Sequence, residues 1–284
     1  MRWQRKELTM QLSDQQKRFF NTFGYLVVPK LFTSSEIAVI SEGFETSLAR
    51  HGKDIGSAAA PRRGMLGPIE HLPEMNRILD DSRILGLIGG VLGEDFNYCS
   101  GDGSTYAGDT PWHPDGNWGE LFAIKAAFYL DPVRGDGGAL RVIPGSCQPD
   151  HVVRKLKIDP NKSMEQFGVL PKDFPGNVAL DSDPGDVVIF NHDTYHAAFG
   201  GGSRRRMFTM NCTRYAHDPR TMEMLRKYVG VHSPGAHRTE TGSGMYFSPF
   251  RQTAGQDRLR HFQQPDEIHD EIFPNHNPQR LQPA

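Results

Sequence analysis

Cysteine is scarce in this 284-residue chain: there are three, Cys99, Cys147 and Cys212. They are far apart and odd in number. They form neither a disulfide framework nor a C-x-x-C zinc or redox pair, which predicts a reducing, cytoplasmic setting. Long apolar runs are missing as well. Nothing approaches the roughly 20 residues of a membrane-spanning helix, and mean hydropathy is −0.54, so no membrane role is expected. Arg2, Arg5 and Lys6 have no apolar stretch behind them, so no secretory signal is expected. Net charge is almost absent: 32 Lys and Arg stand against 34 Asp and Glu, giving −2. That balance argues against a protein that coats nucleic acid or an anionic surface. What the chain does have is 30 Gly, 20 Pro and 12 His. The first two counts predict many loops, and the third asks whether any histidines are grouped.

The first forty-odd residues are helical in pattern. Ser13 and Gln16 form a capping box, followed by Phe19, Phe20 and Phe23 on one face, with Gly24 as the stop. Tyr25-Leu26-Val27-Val28 reads as a short strand ended by Pro29. A second capping box, Thr33 and Glu36, precedes Ile37, Ile40, Phe44 and Leu48 at helical spacing. The Gly/Ala/Pro-rich stretch 52–67 predicts a loop, and 82–92 a third helix. From about Phe96, short strand-like segments alternate with turns: 97–98, 123–130, 139–143, 187–190 and 207–215. This spacing predicts a β-sandwich or barrel, not βαβ units. Residues 150–180 read as a polar insertion or lid, 221–228 as a helix, and the tail from Gln263 lacks a core pattern.

Chemistry enters at Trp112-His113-Pro114-Asp115-Gly116. In an extended segment, residues i and i+2 point to one face, so His113 and Asp115 offer an imidazole and a carboxylate side by side. Pro114 cannot donate to a ladder, which places the motif at a strand end or edge. Alone, an H-x-D is weak evidence. Further on, Pro184-Gly185-Asp186 launches the apolar run Val187-Val188-Ile189-Phe190, which leads into a loop with His192 and His196. Two His and one carboxylate are the donor set of the facial triad of non-haem Fe(II), although zinc accepts the same donors. Arg204, Arg205 and Arg206 come next. One of them can pair bidentately with a carboxylate, while the plainer reading is a solvated basic turn.

Between Leu12 and Tyr215 the chain resembles the phytanoyl-CoA dioxygenase (PhyH-like) family of Fe(II)- and 2-oxoglutarate-dependent oxygenases. The resemblance rests on Phe23-Gly24-Tyr25-Leu26-Val27-Val28-Pro29, on Trp112-His113-Pro114-Asp115-Gly116, on Gly137-Gly138-Ala139-Leu140-Arg141-Val142-Ile143-Pro144-Gly145-Ser146, and on Gly185-Asp186-Val187-Val188-Ile189-Phe190 with a later His and Arg. Each motif is modest; their order and spacing are specific. The resemblance implies a double-stranded β-helix (jelly roll, cupin-like), mainly β, with helices packed on one sheet. It implies one catalytic domain over 1–284: a helical layer 1–95, a β core 96–216 with an insertion near 150–180, and a C-terminal helix and irregular tail 217–284. His113, Asp115 and His196 match the metal ligands, with His192 nearer a supporting or substrate role. The 2-oxoglutarate arginine falls on Arg205, with Arg206 second and Arg204 close by. Tyr106, Thr105 and Lys125 are further candidates for cosubstrate contacts.

The implied activity is hydroxylation of a C–H bond in a small molecule, consuming O₂ and 2-oxoglutarate and releasing succinate and CO₂. Relatives that halogenate lack the carboxylate that Asp115 supplies. Trp112, Asn117 and Trp118 flank the motif as candidate substrate contacts, although Trp118 reads equally as core. Met65, Arg62 and Arg63 are candidates for the entrance, and the histidines at 217, 232, 237, 261, 269 and 276 read as exposed bystanders. The substrate and the oligomeric state are not legible. Two other classes stay in view: a cupin-type dioxygenase or hydrolase without 2-oxoglutarate, and a non-catalytic jelly-roll binder.

Overall fold

A computed structural model describes residues 10–55, 62–233 and 242–274. Both capping boxes form. Ser13 caps α1 (Asp14–Phe23) and Thr33 caps α2 (Ser34–His51), each with its reciprocal Gln or Glu bond. Gly24 ends α1 in the left-handed region at φ 80°, and a Cβ there would run into the Thr194 hydroxyl. Strand β1 (Tyr25–Val28) continues directly from α1. The short strands β2 (Lys53–Asp54) and β3 (Arg62–Leu66), the one-turn α3 (Pro73–Asn76) and α4 (Ser82–Leu92) complete the N-terminal part. The loop expected over 52–67 is therefore partly sheet, because β3 pairs with the next long strand; residues 56–61 lie outside the described chain.

The β core comprises β4 (Asn97–Tyr98), β5 (Asp102–His113), β6 (Ala123–Tyr129), β7 (Leu140–Val142), β8 (Val178–Leu180), β9 (Val187–Asn191) and β10 (His196–Thr213). The larger layer runs β1-β9-β6-β10-β5-β3-β2, all antiparallel. The start of β10 also pairs with β7, which pairs with β8, forming a second, smaller layer. β5 and β10 bend across both layers, with register shifts between His196 and Arg205. This is the jelly-roll arrangement expected, with its two layers linked through shared strands and not closed into a barrel.

Two apolar clusters occupy the two faces of the larger layer. The outer one joins Phe44, Ile40 and Leu48 of α2 to Phe128, Phe208, Met210 and Cys212. The inner one holds Ala127, Tyr129, Val188 and Phe190, with Met207 packed against it. A third cluster forms where the insertion, including α5 (Val152–Lys155) and α6 (Ser163–Phe167), lays Val153 and Phe174 on Trp112, Ala197 and Phe199.

The tail corrects the expectation of an irregular, coreless end. After α7 (Pro219–His232) come the hairpin β11 (Gly242–Ser243) and β12 (Tyr246–Phe247), then α8 (Ser248–Gln252), α9 (Gln256–Leu259) and α10 (Gln263–Ile272). α10 is buried through polar residues. Gln264 accepts from Asn97 Nδ2 and from the Ala216 amide, both at 3.0 Å, and Asp266 accepts from the Met245 amide at 2.8 Å. His261 and His269 are fully buried, which overturns their reading as exposed bystanders. His261 stacks on Phe96 and bonds the Phe96 carbonyl at 2.8 Å. His217 is exposed and pairs with Asp95 at 3.1 Å, whereas His237 and His276 lie outside the described residues.

Candidate active site

β5 and β10 bring the distant pieces together. His113 and His196 are register partners across the two strands, and their rings lie 4.3 Å apart. Asp115, just past the end of β5, is held by its own amide, which donates to the His192 carbonyl at 2.7 Å. His113 Nε2 stands 3.9 Å from Asp115 Oδ1, and His196 Nε2 stands 3.7 Å from Asp115 Oδ2. One ligand atom from each of the three lies within 4.8 Å of the other two, so one ion can be held by all three. The ring orientations fit that use. His113 Nδ1 bonds the Pro111 carbonyl at 2.8 Å and His196 Nδ1 bonds the Thr194 carbonyl at 2.9 Å. A carbonyl can only accept, so each Nδ1 carries the proton and each Nε2 lone pair is left for a metal.

Electrostatics keep these groups in ligand form. Burial opposes charge on Asp115, but the Lys125 ammonium outweighs it and helps hold the carboxyl well below the ordinary carboxylate range. Lys125 Nζ contacts Asp115 Oδ2 at 2.8 Å. Burial pushes the His196 imidazole down to about 4, so it stays neutral near pH 7. The loops that carry the ligands are braced by Asp193, a residue without any motif to mark it in the sequence. Its carboxylate accepts from Asn117 Nδ2 at 2.7 Å and from Arg154 Nη2 at 2.6 Å. Arg154 also donates to the Ser146 and Asp193 carbonyls, tying the insertion to the ligand loop. The Thr194 hydroxyl donates to the Gly24 carbonyl at 3.2 Å, so the end of α1 braces the same loop.

Strand alternation separates the two arginines. Arg205 is 3% exposed and donates to the Gly138 carbonyl, in a niche that a side chain at Gly138 would fill. Arg206 faces the helices instead. It pairs with Asp131, its Nε 3.0 Å from Oδ2, and with Glu45 of α2 at 3.3 Å. The side chain of Arg204 lies outside the described set. Directly opposed residues of a ladder share a face. Tyr106 opposes Arg205 and Ser104 opposes Met207, whereas Thr105 opposes Arg206. Thr105 therefore lies on the helix-facing side, which corrects its expected place beside Arg205. Ser104, one residue earlier and buried, takes the inward position. The Tyr106 side chain lies outside the described set.

The flanking residues divide. Trp112 is buried under the insertion and donates from Nε1 to the Pro171 carbonyl at 2.8 Å. The strand turns it away from its neighbours, so the expected substrate contact gives way to packing. Trp118 packs against Tyr228, with ring centres 4.8 Å apart, and against His232 at 5.4 Å. His192 is fully buried and lines a cavity of about 210 Å³ beside Asp115, together with Lys125, Asp102, Asn211 and His232. His232, read from sequence as a bystander, belongs to this wall. Met65, expected near an entrance, is buried in the outer core.

A jelly roll with a His-x-Asp…His cluster at the ends of its two bent strands defines a class of metal-binding β-helix proteins. The model of the phytanoyl-CoA dioxygenase (PhyH) family matches residues 20–207. The chain belongs to that family. No curated protein matches it. Solved structures resemble it at the level of fold. The 2-oxoglutarate-dependent carbocyclase SnoK from nogalamycin biosynthesis has a TM-score of 0.57 and 20% identity, over 72% of this chain and 84% of SnoK. The epimerase SnoN of the same biosynthesis has a TM-score of 0.57 and 17% identity, over 71% and 82%. HygX from Streptomyces hygroscopicus, solved with nickel and 2-oxoglutarate, has a TM-score of 0.56 and 19% identity, over 72% and 87%. No described helix is long and apolar enough to cross a membrane.

Proposed function

We propose that the protein is an Fe(II)- and 2-oxoglutarate-dependent oxygenase acting on a C–H bond of a small molecule. The observation that carries this reading is the pair of Nδ1–carbonyl bonds that aim His113 and His196 Nε2 at Asp115. When bound, iron and 2-oxoglutarate supply oxygen activation, with 2-oxoglutarate leaving as succinate and CO₂. His113, Asp115 and His196 would hold the iron. Lys125 fixes the Asp115 carboxylate and keeps it ionised. Asp115 supplies the carboxylate that halogenating relatives lack, so hydroxylation is favoured over halogenation.

Arg205 takes the distal carboxylate of 2-oxoglutarate. A buried guanidinium binds a carboxylate through charge-assisted bonds that water would otherwise weaken. Ser104, which is buried, stands on its side of the sheet at that end of the site. Hydroxylation is the default outcome. SnoK and SnoN carry cyclase and epimerase names on the same fold, so the geometry of the bound substrate selects the product once hydrogen has been removed. The three free cysteines suit the cytoplasmic setting read from the sequence. One catalytic domain, with the helical layer supporting the β core, is the organisation this reading uses.

The test is succinate release from 2-oxoglutarate by the Fe(II)-loaded protein. Slow turnover without substrate, abolished in His196→Ala, is expected. Absence of any 2-oxoglutarate consumption, with metal bound, would overturn the reading in favour of a cosubstrate-free enzyme or a binding protein.

A further inference from the structure

We infer that the cavity beside the triad takes a small hydroxyl-bearing molecule, uncharged or cationic, and not an acyl-CoA or another anion. This rests on the oxygenase reading above and names the substrate class of that site. At about 210 Å³ the cavity is smaller than the roughly 300–1,000 Å³ typical of ligand pockets. Among the described residues Leu66 is the one large aliphatic side chain on its wall, and Asp102, Asp115, Lys125, His192, Asn211 and His232 make it polar. The wall is more polar than apolar, which disfavours an acyl chain.

The polar groups on the wall state what they need. His192 is 1% exposed, and neither of its ring nitrogens has a hydrogen-bond partner. Asn211 Oδ1 is likewise buried and unpartnered. Buried polar atoms left unpaired cost roughly 1–3 kcal/mol each, so they mark a place where a ligand or ordered water completes the bonds. A neutral imidazole offers one donor and one acceptor, and the amide oxygen needs a donor. A hydroxyl group both donates and accepts, so a ligand with two or more hydroxyls can serve all three atoms. A methylene serves none.

Charge decides the rest. The Lys125 ammonium is engaged with Asp115 at 2.8 Å. The Asp102 carboxylate accepts from the Thr209 hydroxyl at 2.9 Å and faces Arg62 at 3.6 Å near the rim. An incoming carboxylate or phosphate would meet Asp102 with no uncommitted cation among the described lining residues. A hydroxyl or ammonium group meets complementary partners.

The experiment has two readouts. First, the anaerobic Fe(II)·2-oxoglutarate complex is checked by its visible charge-transfer band, which tests the oxygenase reading by itself. Second, binding of myo-inositol, D-glucosamine, adenosine and octanoyl-CoA is measured by ligand-observed NMR on the Zn(II)-substituted protein. The inference expects at least one hydroxylated compound to bind. It expects His192→Phe or Asn211→Leu to weaken that binding at least tenfold while the band still forms, which shows the variant is folded. Binding of octanoyl-CoA alone, binding of none, or hydroxylated binding unchanged in both variants would overturn it. A missing band with intact, variant-sensitive binding would sink the oxygenase reading and leave the cavity's selectivity standing.

Discussion

The two faces of β10 do opposite jobs within a few residues. Phe208, Met210 and Cys212 point outward into the outer apolar cluster, with Phe208 stacked on Phe128 at 4.5 Å between ring centres and on Phe44 of α2 at 6.2 Å. Arg205, Thr209 and Asn211 occupy the alternate face, toward the site. The contrast is sharpest at the two adjacent arginines. Arg206 is neutralised by Asp131 and Glu45 and ties the sheet to the helical layer. Arg205 is more buried, against a carbonyl. One face stores stability in apolar contacts and surface-near ion pairs; the other keeps polar groups dry for binding. Strand geometry forces the division, because successive side chains must diverge.

The largest break in this picture comes from the ligands. Asp115→Ala and His196→Ala should abolish iron binding and turnover, read by metal analysis after anaerobic reconstitution, with the melting temperature retained. The arginine pair comes next. Arg205→Ala should weaken 2-oxoglutarate by about 100-fold, or about 2.7 kcal/mol, the cost of removing one partner of a buried charged pair. Arg206→Ala should leave 2-oxoglutarate affinity unchanged but cost about 1.5–3 kcal/mol of stability through the lost Asp131 bonds. If the two effects trade places, the assignment of faces is wrong. A smaller effect tests the brace: Asp193→Ala should lower metal affinity by about tenfold, since supporting groups around ligands are worth about 10–100-fold. Calorimetric metal titration would register it, and unchanged affinity would remove Asp193 from the site.

The subtlest effect lies behind the cavity. Glu70 is fully buried and accepts from Tyr98 at 2.9 Å and Ser100 at 2.7 Å. Burial raises its carboxyl from 4.5 to about 7. A raised carboxyl means that the folded state binds the proton more tightly, so wild type loses stability as pH climbs from about 4.5 to about 7. Glu70→Gln lacks that slope. Its melting temperature relative to wild type should therefore rise with pH across this window. A flat difference would mean that Glu70 titrates normally in the folded protein.

Much of this is legible in the sequence, for physical reasons. Capping boxes are local, and both form around Ser13 and Thr33. The strand ladder tracks the apolar alternation, and the spacing of His113, Asp115 and His196 matches a recognisable site. The hidden features depend on phase or on polar burial. Bulges between His196 and Arg205 hide the inward register of β10 and its partner β5 from spacing, so Thr105 is a candidate from sequence although Ser104 takes the inward position. α10 is held by Gln264 and Asp266 and not by an apolar stripe, so hydropathy gives no sign of it. His232 joins the cavity wall only because α7 packs beside Trp118 and Tyr228.

The central claim is that His113, Asp115 and His196 hold iron that 2-oxoglutarate then chelates. Anaerobic titration of the Fe(II)-loaded protein with 2-oxoglutarate, monitored by visible absorption, tests it most directly. A saturable metal-to-ligand charge-transfer band, right-shifted in concentration for Arg205→Ala and absent for His196→Ala, is the predicted result. Stoichiometric iron that yields no band at any 2-oxoglutarate concentration would contradict it.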